Sequence, residues 1–165
     1  MTVKETLNGY DLPLEMRPIM QAIDFSKLES FVSLLVSSLI NKYTPARVKR
    51  EIDDDLDSVI TGLLTYFIEV VGIKIICDNN LETTDEVELQ NTAFLVAIAL
   101  NISLANELNK KVAYNLDAIG YYTLDILEIL TERLAGHILE GNTESHKHFE
   151  YYTNDMVKTY LFNKL

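Results

Sequence analysis

The run Ala93-Phe94-Leu95-Val96-Ala97-Ile98-Ala99-Leu100 constrains this chain more than any other stretch, because as a helix it has no polar face. Thr83 or Thr84 followed by Asp85-Glu86 supplies a cap and acids for the positive end of a helix dipole, so the spacing predicts a helix from about Asp85 to Lys110. A helix that is apolar all round is stable in water only when other helices enclose it. Ala93 to Leu100 is far shorter than the roughly 20 apolar residues of a membrane span. The other apolar stretch, Val59 to Cys77, carries Glu69 and Lys74 inside it. Both stretches are therefore read as core, with no membrane contact expected.

The neighbours that this helix needs can be read from the same periodicity. A helix starting near Asp24 or Ser26 and ending near Tyr43 presents Leu28, Val32, Leu35 and Leu39 as one stripe, widened by Phe25, Phe31, Val36 and Ile40. Ser26-Lys27-Leu28-Glu29 has the form of a capping box at its start. Thr44-Pro45 opens a long helix that is charged from Ala46 to Asp57 and apolar from Val59 to Cys77. Gly62 and Gly72 are its expected kinks or close-packing points, and Asp78-Asn79-Asn80 ends it. A further helix, about Leu116 to Glu140, buries Ile119, Ile126, Leu127, Leu130, Leu134 and Ile138 and closes at Gly141-Asn142. The last, about Thr143 to Asn163, is amphipathic through Phe149, Tyr152, Met156 and Tyr160.

The first two dozen residues read as largely irregular. Asn8-Gly9 is a turn signal, and Pro13 and Pro18 disfavour helix in the residues before them. An apolar arm, Leu7 to Leu14, is expected to feed one short helix in which Met16, Ile19, Met20 and Ile23 share a face. No segment shows strand alternation, and 165 residues with 48% apolar content form one core without staples. The expected fold is all-α: a single bundle-like domain of about five main helices around a buried central helix at 85–110, with the arm and short helix of residues 1–23 packed on it.

The net charge of -11 opposes direct nucleic-acid binding, which requires a basic surface, and suits a basic protein partner. The single cysteine, Cys77, can form no internal disulfide, and the polar start Met1-Thr2-Val3-Lys4-Glu5 lacks a signal-peptide core. A cytoplasmic location is expected.

Four constellations bear on chemistry. Glu51, Asp54 and Asp57 share one side of a helix, where clustered carboxylate oxygens suit a divalent cation. The i,i+4 pairs Arg47/Glu51, Lys49/Asp53 and Arg50/Asp54 explain the same run as a solvated face. Asp117, Asp125, Glu128 and Glu132, with Tyr121, line a face opposite an apolar stripe, which fits contact with a basic partner. Glu144, His146, His148 and Glu150 gather at the start of the last helix, read as a polar helix start rather than a metal site. Glu69 is a carboxylate within an apolar stretch and needs a partner such as Lys74, Asn101 or Tyr66.

Two patterns, one of them the Glu51 run, have counterparts in known families. Glu51-Ile52-Asp53-Asp54 resembles the Glu-x-x-Asp pair of the all-helical nucleoside triphosphate pyrophosphohydrolases, a resemblance that implies a magnesium-dependent nucleotide hydrolase. The matching upstream Glu-x-x-Glu pair is missing, with Glu29 standing alone. Gly136-His137-Ile138-Leu139-Glu140-Gly141 is similar to the histidine phosphotransfer pattern, which implies phosphoryl acceptance at His137. Glu140 replaces that pattern's lysine.

One face remains. Ser26, Ser30, Ser33 and Ser37 recur at helical spacing where a solvated helix normally carries lysine and glutamate. They form either a weakly polar surface or a contact with another helix or a second copy of the chain. No nucleophile motif, phosphate loop or cofactor signature is present, so the expected function is a non-enzymatic protein-protein interaction module, an inhibitor or adaptor, with no metal or cofactor. Its expected partner is a basic protein or a second copy, and the alternatives are the hydrolase and the phosphotransfer module.

Overall fold

Every regular element among the described residues is helical. The computed structural model describes residues 2–43, 46–47, 50, 62, 68–111 and 124–143, and the side chains of all of these except 39–43, 68–69 and 124–126. In chain order the elements are α1 (Val3–Asn8), a 3-10 turn (Leu14–Met16), α2 (Arg17–Ala22), α3 (Phe25–Tyr43), a π turn (Ile68–Gly72), α4 (Ile73–Asp78), α5 (Glu86–Lys111) and α6 (Leu124–Leu139). The protein is all-α, and α5 is its central helix.

Helix α5 is buried from Leu89 to Leu108 on almost every side, and α1, α2, α3, the π turn, α4 and α6 all pack on it. Its length and apolar composition would suffice for a membrane span, but 67% of its most apolar window is buried by the other helices. That is the burial of a core helix. The stripe of α3 is in place through Phe25, Leu28, Val32, Leu35 and Val36, all buried, with Phe31 half-buried. On α6 the buried set is Leu127, Leu130, Thr131, Leu134, Ala135 and Ile138. Thr131 satisfies its hydroxyl by donating to the Leu127 carbonyl at 2.6 Å. Leu39, Ile40, Ile119, Ile126 and residues 144–163, on which the last expected helix falls, lie outside the described residues or side chains.

Gly72 closes the π turn at a three-way contact. A Cβ there would lie 3.2 Å from both Leu134 methyls on α6 and 3.5 Å from Val96 Cγ1 on α5. The glycine expected to be a kink or close-packing point thus sits where the π turn, α5 and α6 meet. Helix α4 ends at Asp78, with Asn80 at φ 55 and the Leu81 amide donating to the Ile76 carbonyl at 2.9 Å. Helix α6 ends with the same arrangement: Gly141 has φ +74, and the Asn142 amide donates to the His137 carbonyl at 2.9 Å.

The N-terminal region corrects the reading of an irregular arm. Val3–Asn8 is helical, capped by Thr2, whose Oγ1 accepts from the Glu5 amide at 3.1 Å. Val3 and Leu7 are fully buried, so a helix too short to persist alone is held by what it covers. Pro18 lies in the first turn of α2, where a missing amide costs nothing, and Met16, Ile19, Met20 and Ile23 are all buried.

The start of α3, expected near Asp24 or Ser26, lies at the first of the two. The Asp24 carboxylate accepts from the Lys27 amide at 3.0 Å, making Asp24 the N-cap. Glu29, free of the reciprocal role in a capping box, accepts instead from the Val3 amide at 3.4 Å, 26 residues away. Asp24→Ala is therefore expected to cost about 0.5–2 kcal/mol of unfolding free energy. Ser26→Ala is expected to stay within about 0.5 kcal/mol. Urea titration of the two variants checks the assignment, and equal losses would restore Ser26 as the cap. At α5 the cap is Asp85, which accepts from the Val87 amide at 3.0 Å, while Thr83 Oγ1 accepts from the Asp85 amide at 3.1 Å.

Candidate interaction groove

The exposed ends of the helices around α5 form two grooves that bear on the expected interaction function. The first is built by three elements. The 3-10 turn, entered through Pro13, places Met16 at the groove. The second and third turns of α5 supply Gln90, Asn91 and Phe94, and one turn of α6 supplies Glu128 and Thr131. Together they enclose about 340 Å³. Met16 and Thr131 are buried and Phe94 is half-buried, so the floor is largely apolar. Glu128 supplies a carboxylate.

The elements that build this groove also carry exposed apolar side chains. Val87, 72% exposed, lies one turn before Gln90 and Asn91 on the same face of α5. Leu14, 68% exposed, belongs to the same 3-10 turn as Met16, and Ile129, 64% exposed, adjoins Glu128. Exposed apolar side chains taken singly need no explanation, and none of these three lines the groove itself. Glu86 and Glu88 in the first turn of α5, and Glu132 one turn beyond Glu128, add exposed carboxylates to these elements.

The second groove, about 580 Å³, follows α3 and is lined by Thr2, Ser26, Glu29, Ser30, Ser33, Leu34, Ser37 and Glu107. It brings together the four serines of the sequence pattern, but they do not share one environment. Ser26 and Ser30 are exposed, and Ser30 Oγ donates to the Ser26 carbonyl at 2.9 Å. Ser33 and Ser37 are half-buried against the end of α5. Lys111 Nζ donates to the Ser33 carbonyl at 2.9 Å, to Ser33 Oγ at 3.0 Å and to Ser37 Oγ. The same ammonium lies 2.9 Å from Glu107 Oε2, an ion pair 16% exposed on each side. Glu107 Oε2 is sealed from solvent and makes no aligned hydrogen bond, so this contact is held by charge. The small hydroxyls of α3 thus receive a lysine of the same chain.

The remaining expected site residues are distributed as follows. Glu51, Asp54, Asp57, Asp117 and Tyr121 lie outside the described residues, as do Glu144, His146, His148 and Glu150. Asp125 lies on α6, with its side chain outside the description, and Glu128 and Glu132 are exposed on that helix. Glu69 falls in the π turn, its side chain also outside the description. Lys74, one of the partners expected for it, pairs with Asp78 at 3.2 Å and lies 5.3 Å from the centre of the Phe31 ring. Asn101 is buried in α5. His137 is half-buried in the last turn of α6, and Cys77 is half-buried in α4. Among the described residues no group of three or more His, Cys, Asp or Glu side chains could hold a metal ion.

Sequence periodicity missed Met16, Gln90, Asn91, Phe94, Thr131 and Lys111 as surface-forming residues. One signal was present: Val87 is an apolar residue set between the acids of a first helical turn, where solvation favours polar side chains. Comparisons with protein families, with curated proteins and with solved structures give no match.

Proposed function

We propose that this chain is a non-enzymatic interaction module of the cytoplasm whose groove between the 3-10 turn, α5 and α6 takes an amphipathic basic segment of another protein, so that it acts as an inhibitor or adaptor. The supporting observation is the pairing of an apolar floor, Met16 and Phe94, with the exposed carboxylates Glu128 and Glu132. An apolar stripe on the partner would leave water at the floor, and lysines or arginines flanking that stripe would face the carboxylates. The net charge of -11 adds long-range attraction that speeds encounter with a basic surface and weakens as salt rises.

The test is photo-crosslinking in the native host. A photoreactive residue at Gln90 is expected to capture a protein bearing a basic amphipathic segment. Capture should fall with rising salt and be lost in the Glu128→Lys/Glu132→Lys variant. The same photoreactive residue at Lys27, exposed on α3, is expected to capture none of it. Equal capture from both positions, or capture indifferent to the charge reversal, would refute the groove reading. Light scattering distinguishes a second copy as the partner, because a monomer of 18.8 kDa removes self-association.

A further inference from the structure

A third cleft, about 380 Å³, lies between α1 and α2 and is lined by residues from Lys4 to Gln21. Its construction is regular. Helix α1 contributes Lys4 and Asn8, one turn apart at i,i+4, above the buried Leu7. Helix α2 contributes Arg17 and Gln21, again i,i+4, above the buried Met20. Each helix therefore brings a cation and an amide to the same cleft, whose open apolar surface comes from Leu12 and Tyr10, since Leu7 and Met20 are almost fully covered. Tyr10, exposed, adds a phenol from the connecting segment, and Asp11 is the one carboxylate in the lining.

Both cations are placed where structure alone gives little reason for them. The chain holds 25 acids against 14 lysines and arginines, so carboxylate partners abound, yet among the described residues neither Lys4 nor Arg17 makes an ion pair. Lys4 is in the first turn of α1 and Arg17 is the first residue of α2, positions where the helix dipole disfavours positive charge. Two unpaired cations facing one cleft in an acidic protein, each with an amide donor one turn away, suit a doubly charged oxyanion. The guanidinium matches two of its oxygens, the ammonium acts as a point charge, and the amides and phenol supply neutral donors. The volume lies at the small end of ligand pockets, and Leu12 with the Tyr10 ring can cover an apolar body but not a large one.

We infer that the α1–α2 cleft binds a small organic phosphate monoester, with Lys4 and Arg17 holding the phosphate and Leu12 and the Tyr10 ring covering its apolar part. This site is separate from the interaction groove and stands or falls without it.

Phenyl phosphate is the probe, titrated to about 10 mM into the full-length, isotopically labelled chain at about pH 7.5, where the monoester is mostly dianionic. Saturable amide shifts are expected along residues 4–12 and 17–21, with Kd at or below about 1 mM. Arg17→Gln and Lys4→Gln should each weaken binding by about tenfold or more. Asp11→Asn should strengthen it by removing the like charge. All three residues are exposed, so the variants are expected to fold. Inorganic phosphate should bind at least about tenfold more weakly, because it lacks the apolar part. Absence of saturation, equal affinity for inorganic phosphate, or binding indifferent to Arg17→Gln would each overturn the assignment.

Discussion

Leu100→Ala is expected to cost about 2–5 kcal/mol of unfolding free energy, whereas Val87→Ala on the same helix should change it by no more than about 0.5 kcal/mol. Leu100 is fully buried in α5, and truncating it both loses transfer free energy and leaves a cavity that the surrounding helices fill only in part. Val87 is 72% exposed, and its truncation removes little that folding had covered. A chain of this size should melt about 2–4 °C lower for each kcal/mol lost. Urea and thermal unfolding read both variants directly. Equal and small effects would mean that α5 is not enclosed as described.

Lys111→Met should be the next most damaging change, at about 1–3 kcal/mol, between the values for exposed and for fully buried ion pairs. The ammonium joins the end of α5 to α3 through Ser33 and Ser37 and neutralises Glu107. Removing it leaves the Glu107 carboxylate largely buried with its described counter-ion gone, which is more costly than removing both charges. The Lys111→Met/Glu107→Gln double variant is therefore expected to recover about 1 kcal/mol relative to Lys111→Met alone. Additive losses in the double-mutant cycle would show that the pair is not coupled. With Ser33 and Ser37 engaged by Lys111, the part of the serine face open to another molecule is Ser26 and Ser30.

Much of the fold was legible because the apolar periods are long and mutually consistent. Leu28, Val32 and Leu35 could face only one way on a helix, and the Ala93 to Leu100 belt could be satisfied only by enclosure. Helix α1 was not legible, since Asn8-Gly9 and Pro13 dominate the local signal, while its stability comes from burying Val3 and Leu7 against distant elements. The cap of α3 was legible only as a choice of two: Asp24 and Ser26 both carry suitable oxygens, and Glu29, which would complete a capping box with Ser26, accepts from the Val3 amide 26 residues away. The grooves were hidden for a third reason. Periodicity assigns faces to a helix but does not say which other element lies beside them. Met16, Phe94 and Thr131 meet only once three elements are packed, and Lys111 reaches Ser33 across 78 residues. The acidic residues Glu128 and Glu132 were legible as an exposed face, whereas the apolar floor beside Glu128 was not.

The most direct measurement of the proposed function is the amide-shift map of the labelled protein titrated with a helix-forming peptide of leucines at i, i+3, i+4 and i+7 and lysines elsewhere. A peptide of the same composition with that periodicity scrambled is the control. The groove reading predicts saturable shifts centred on Met16, residues 87–94 and residues 128–131, with the periodic peptide binding at least about tenfold more tightly than the scrambled one. Shifts spread evenly over the acidic surface, or equal affinity for the two peptides, would contradict it.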